Sequence, residues 1–190
     1  HAITVPGAID AWDQLLAEHG TMTLAEALAP AIALAEQGVP TTARVAHDWL
    51  ASEALLAADE GGAKHYLLDG KAPRMGQIMA YPALAKTLKH IARHGRDGFY
   101  AGEIAAGMVS HLKSRGSLLS LEDFAATSST WVKPIHANFA GSDICEIPPN
   151  GQGLTVLITL NILGHFGLRR FDPESPERRH LEIEALKLAW

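Results

Sequence analysis

Apolar residues recur every three or four positions along most of the chain, the spacing of helices that pack on one side. In AIDAWDQLLAEHG, Ile9, Trp12, Leu15 and Leu16 share a face and Gly20 supplies a stop. In TMTLAEALAPAIALAEQG, Thr23 and Glu26 form a capping-box pattern and Gly38 ends the helix. Pro30 has no N–H to donate, so a kink or split is expected there. TTARVAHDWLASEALLAAD predicts a third helix, capped by Thr41 or Thr42. Breakers at Gly61, Gly62, Gly70, Pro73 and Gly76 predict a long connection over 59–80, with a short hairpin about Asp69-Gly70. YPALAKTLKHIARHG predicts a helix with Pro82 in its first turn, and another runs from about Gly102 to Arg115. Ser120 and Asp123 repeat the capping-box spacing ahead of a short helix.

The period then changes. In VKPIHANFAGSDICEIPP, Ile135, Ala137 and Phe139 alternate onto one face, Gly141-Ser142 can turn, and Ile144 and Ile147 follow, which predicts a β-hairpin. After the turn PPNGQG a helix is expected from about Gly153 to Phe166, then a loop containing Pro173 and Pro176, then a last helix. The expected fold is mainly α, an orthogonal helical bundle with a short β-hairpin at about 133–147. It divides into a helical lobe at 1–132 and a segment at 133–190 holding the hairpin, the glycine-rich turn and the C-terminal helices, together one structural unit. Two strands make a poor independent sheet, so the hairpin is expected to join a larger sheet supplied from elsewhere. The pattern RRHLEIEALKLAW reaches Trp190 with no cap, glycine or breaker, so further residues are expected on the C-terminal side.

Composition narrows the function classes. The 190 residues suffice for one domain with a real core, and 47% hydrophobic against 19% charged residues excludes a disordered chain. A net charge of −5 and the lack of any basic run argue against a nucleic-acid partner. No apolar stretch is long enough to span a membrane. The single cysteine, Cys145, rules out an internal disulfide and a cysteine-built zinc site. Its place in an expected strand predicts a small buried hydrophobe.

Candidate chemistry is sparse. His90 and His94 share a helix face, but no acid lies between them and no third ligand is evident, so an exposed helix edge is expected and no metal is assigned. No serine sits in a Gly-x-Ser-x-Gly elbow. Glu18 with Asp13, and Glu122 with Asp123, fit solvated helix faces or caps. The order strand, Gly-rich turn, helix around Pro148 to Gly153 often surrounds an anion. Here Val156 stands where a dinucleotide fingerprint needs glycine, and the Lys-Ser/Thr of a phosphate loop is missing. Pro148 and Pro149 hold the chain extended and the glycines permit a sharp corner, so a structural turn is the expected role. Asn150, Gly151, Gln152 and Gly153 remain the substrate-contact candidates.

Taken in order, VPGAIDAW, HGTMTLAEALAPAIALAEQGVP, LLDGKAPRMGQIMAYPALAKTLKHIARHGRDGFYAGEIA, GSLLSLEDFAA, PIHANFAGSDICEIPPNGQG and HLEIEALKLAW resemble the γ-glutamyltransferase family of N-terminal-nucleophile hydrolases. The resemblance runs from about Val5 to Trp190. It implies the later, largely helical part of a large subunit, whose hairpin joins the catalytic sheet of the complete enzyme. It also implies a precursor that cuts itself to expose a threonine on a small catalytic subunit. That threonine attacks a γ-glutamyl amide, with its own α-amine as base, to form an acyl-enzyme. The remainder of the precursor is the implied partner, and no cofactor is implied. Members are often exported to the periplasm or cell exterior. By this resemblance the nucleophile lies beyond Trp190 and the glutamyl-binding arginine before Val5, so no catalytic residue is assigned here. Thr155 and Thr159 fall inside a helix and are not nucleophile candidates. Many members carry a PPPSSGG-like turn where this chain has PPNGQG, a departure that bears on γ-glutamyl specificity. The alternatives are an acylase or amidohydrolase of the same family acting on a non-glutamyl substrate, and a non-enzymatic helical interaction module.

Overall fold

The computed structural model describes residues 3–190. Ten α-helices lie among them: α1 (Ala8–His19), α2 (Leu24–Gln37), α3 (Ala43–Ala57), α4 (Glu60–Tyr66), α5 (Pro82–His94), α6 (Asp97–Tyr100), α7 (Glu103–Ser114), α8 (Leu121–Ala126), α9 (Gly153–Leu163) and α10 (Pro176–Ala189). Two small antiparallel pairs and two short 3-10 turns (Gly164–Phe166 and Leu168–Arg170) complete the regular structure among the described residues. Val39–Pro40 (β1) pairs with Ile78–Met79 (β2), and Ile135–Phe139 (β3) pairs with Ser142–Glu146 (β4). The chain is therefore mainly α with a short hairpin. It forms two compact units that meet in sequence at Ser129 and Thr130.

In the first unit the core is built from Ile9, Leu28, Ile91, Tyr100, Ala105, Val109 and Phe124, with Val5, Leu24 and Leu88 packed against it. Both capping boxes form. Thr23 accepts from the Glu26 N–H while the Glu26 carboxylate accepts from Thr23 N–H, and Ser120 and Asp123 do the same for α8. Of the kink or split expected at Pro30, the split does not occur: α2 runs through the proline, with Leu28 and Ala35 buried on it. Thr42 caps α3 by accepting from Val45 N–H at 3.4 Å, whereas Thr41 is buried and donates its hydroxyl to Gln77 O at 3.0 Å. That long cap contact sets a modest effect. Thr42→Ala should cost about 0.5 kcal/mol, the low end for a lost N-cap, read as faster amide exchange in the first turn of α3.

The connection over 59–80 contains more order than its breakers suggest. Asp59 caps α4 by accepting from Gly62 N–H at 2.8 Å. A Cβ at Gly62 would stand 2.6 Å from Leu56 O, so this glycine lets α4 close on the end of α3 instead of breaking a helix. Asp69 and Gly70 both take positive φ inside a single bridge between Leu68 and Lys71, the tight turn expected there. Gly38 (φ +79°) lies 2.8 Å, measured from its absent Cβ, from Met79 O, which brings β1 beside β2.

In the second unit, β3 and β4 pair Ile135 with Glu146 through Phe139 with Ser142. The turn is Ala140-Gly141 and not Gly141-Ser142, since a two-residue turn of this hand needs positive φ at both centres and these two residues supply it (54° and 89°). α9 lies on the hairpin and α10 on α9, burying Ala137, Leu157, Leu163 and Ala185. A short 3-10 turn extends α9 to Phe166, and Pro176 is not in the loop but at the first turn of α10, capped by Ser175.

Candidate functional site

The chain leaves β4 at Glu146 and passes through Ile147, Pro148 and Pro149 to a turn over 149–152, after which α9 begins at Gly153. Asn150 and Gly151 are exposed, and the Asn150 side chain makes no hydrogen bond among the described residues. Gln152 stands at the helix N-cap position without capping by its side chain; its Oε1 accepts from Thr155 Oγ1 at 3.0 Å. Its carbonyl accepts from Val156 N–H at 3.2 Å. Gly153 is the tight point. A Cβ there would stand 2.7 Å from both Cβ and Oε2 of Glu146. The Glu146 side chain thus lies along the opening of α9, where the helix dipole favours a carboxylate. A second anion at this place would meet a like charge, which disfavours a phosphate site at this corner.

The other sequence candidates are dispersed. His90 and His94 stack with ring centroids 4.5 Å apart, and His90 Nδ1 lies 3.4 Å from Glu103 Oε1. Among the described residues no group of three His, Cys, Asp or Glu side chains is placed to hold a metal ion. Cys145, expected to be buried, is exposed. It pairs across the hairpin with His136, on the face opposite Ala137 and Ile144, and only that latter face is covered by α9. The Thr159 hydroxyl donates to Thr155 O at 2.8 Å, as a helical threonine does.

One polar cluster escaped the sequence reading. Asp10, in α1, is only 1% exposed. Its carboxylate accepts from Arg96 Nε, from Ser129 N–H and, at 3.0 Å, from Gln14 Nε2. Arg96 also donates to Thr127 O, and its guanidinium sits 4.8 Å from the Tyr100 ring centroid. The Tyr100 hydroxyl donates to Pro6 O at 2.6 Å and accepts from Asp10 N–H at 3.3 Å. Burial pushes the Asp10 carboxyl pKa up, but the hydrogen bonds from Ser129 and Arg96, with the Arg96 charge, outweigh it and hold the pKa below its ordinary value. Every arm of the Asp10 carboxylate is committed within the same unit, so the cluster is a structural tie joining α1, α6 and residues 127–129. An acid beside Ile9 on a packed helix face was the only sequence signal for it.

The sequence pattern of the gamma-glutamyltranspeptidase family matches the chain over residues 1–190. The chain belongs to that family. This gamma-glutamyltranspeptidase-family chain is 39% identical over 189 residues to the glutathione hydrolase-like YwrD proenzyme of Bacillus subtilis (strain 168), a match covering 100% of this chain and 36% of that protein. It is 33% identical over 190 residues to the acylase ACY 1 proenzyme of Pseudomonas sp. (strain SE83), covering 100% and 34%. Among solved structures, the cephalosporin acylase from Bacillus halodurans matches with a TM-score of 0.89 at 37% identity, over 98% of this chain and 36% of that one. The chain spans about a third of the length of the curated relatives it matches. Among the described residues no helix is long and apolar enough to cross a membrane.

Proposed function

We propose that this chain is a large-subunit scaffold segment of an autoprocessing amide hydrolase or transferase. In the complete protein an acyl group passes from an amide to a threonine outside this chain, and then to water or an acceptor amine. The observation that carries this reading is the family match over the whole chain, with relatives named as proenzymes. The surface of the second unit supports it. α9 is apolar nearly all round, and Leu154, Val156 and Ile158 are exposed, as are Ile183, Leu186 and Leu188 on α10. A helix apolar on every side belongs inside a larger body, and the remainder of the precursor is the proposed cover. The hairpin β3–β4 is proposed to extend the catalytic sheet there. On this reading the isolated chain is inactive.

γ-Glutamyl amides are the first proposed substrates. A second reading, an acylase or amidohydrolase acting on other amides, draws on the Asn-Gly-Gln turn and the identity to acylases. The test is production of the full-length protein. Mass spectrometry is expected to find two subunits, the smaller beginning with threonine. Hydrolysis of a γ-glutamyl anilide, set beside that of a glutaryl or simple acyl anilide, then separates the two readings. A folded precursor that never divides would count against both.

A further inference from the structure

We propose that Asn150 is a spontaneous modification site, at which the side-chain amide is lost and the main chain is partly rerouted through the side chain. Asn150-Gly151 is the one Asn-Gly pair in the sequence. The reaction needs the Gly151 backbone nitrogen to reach Asn150 Cγ, and three features allow it. Gly151 carries no Cβ to obstruct the approach. Both residues are exposed in a turn, outside any helix or strand. Among the described residues the Asn150 side-chain amide is held by no hydrogen bond.

The chemistry balances without any redox partner. Gly151 N gives its proton to solvent base and forms a bond to Asn150 Cγ. The Cγ–Nδ2 bond breaks, and Nδ2 takes a proton from water and leaves as ammonia. Water then opens the cyclic imide: attack at Cγ yields aspartate, and attack at the main-chain carbonyl carbon yields isoaspartate. The aspartate adds a carboxylate a few residues from Glu146 at the opening of α9. The isoaspartate adds one carbon to the backbone between Pro149 and Gly153, beside the Glu146–Gly153 contact.

The other two asparagines serve as internal controls. Asn138 lies in β3, is followed by Phe139, and donates Nδ2 to Asp143 Oδ1 at 2.9 Å. Asn161 lies in α9, followed by the β-branched Ile162, with its backbone held in the helix. Neither can bring the next backbone nitrogen to its own Cγ without breaking its element.

The full-length protein, incubated at mildly alkaline pH and mapped by peptide mass spectrometry and isoaspartate methyltransferase labelling, tests the proposal. Imide, aspartate and isoaspartate are expected to accumulate at position 150 with matching ammonia release, while Asn138 and Asn161 stay intact. A Cβ at Gly151 meets nothing within 4 Å and its φ is not in the left-handed region. Gly151→Ala should therefore fold normally and slow the reaction by an order of magnitude or more. An Asn150 that stays intact, that changes no faster than Asn138 or Asn161, or that changes at the same rate in Gly151→Ala, overturns the proposal.

Discussion

Asp10→Ala is expected to lower the stability of the first unit by about 3 kcal/mol at neutral pH. Breaking a buried ion pair from one side costs about 3–5 kcal/mol because the other charge is left without its partner. The lower end applies because Arg96 keeps Thr127 O and Asp97 and is 27% exposed. Ser129 N–H and Gln14 Nε2 also lose an acceptor, so the segment 127–129 should open with α1. The measurement is amide exchange across α1, α6 and residues 127–129 in the full-length protein, beside its denaturant midpoint. Asp10→Asn should fall between the two, since its carbonyl can still accept but its amide faces Arg96. The pH dependence has a fixed sign. The folded pKa lies below the unfolded value of about 3.9. The contribution is therefore complete above about pH 3.9 and is lost as pH falls through the lower, folded value. Asp10→Asn should flatten the acid limb of the stability curve. An Asp10→Ala protein as stable as the parent, with the same acid limb, would show that the cluster is not the tie described.

What the sequence made legible was what local chemistry decides. Capping boxes at Thr23 and Ser120, the proline-started α5 and the alternation of β3 each need only a few neighbouring residues to be recognised, and all form. The misreadings share a cause, since each depends on a packing contact that the local pattern does not name. Gly61 and Gly62 count as breakers until Leu56 O is known to lie against Gly62. Pro30 allows a kink or a split, and only the packing that buries Leu28 and Ala35 shows that the helix is not split. Cys145 suggests burial until α9 is seen to cover only the opposite face of the hairpin. Nothing in the residues beside Asp10 names its partners, because Arg96 and Ser129 are 86 and 119 positions away. The corner at Pro148 to Gly153 was legible as a corner. Its close packing was not, because nothing in the sequence says that Glu146 lies against Gly153.

That packing sets the second large effect. Gly153→Ala is expected to destabilise the second unit by about 2 kcal/mol, within the range of about 1–3 kcal/mol for overpacking. The new Cβ would stand 2.7 Å from Glu146 Oε2, 3.0 Å from Cγ and 2.7 Å from Cβ. The carboxylate can swing aside, but Glu146 Cβ is fixed to the backbone of β4, so the strand or the start of α9 must move. Alanine's better helix propensity offsets this by less than about 1 kcal/mol, since the position lies in the first turn. The double variants distinguish this contact from a generic effect of adding a methyl group. Glu146→Ala keeps the offending Cβ and should rescue little. Glu146→Gly removes it, so the pair Glu146→Gly with Gly153→Ala should be more stable than the sum of the single changes, a coupling of about 1 kcal/mol or more. Gly151→Ala, two residues earlier in open space, should be nearly silent. Amide exchange in α9 and across β3–β4 of the full-length protein gives the comparison. Equal behaviour of the alanine variants at 151 and 153 would mean that Glu146 does not hold the helix start, and the corner would then owe its shape to the two prolines alone.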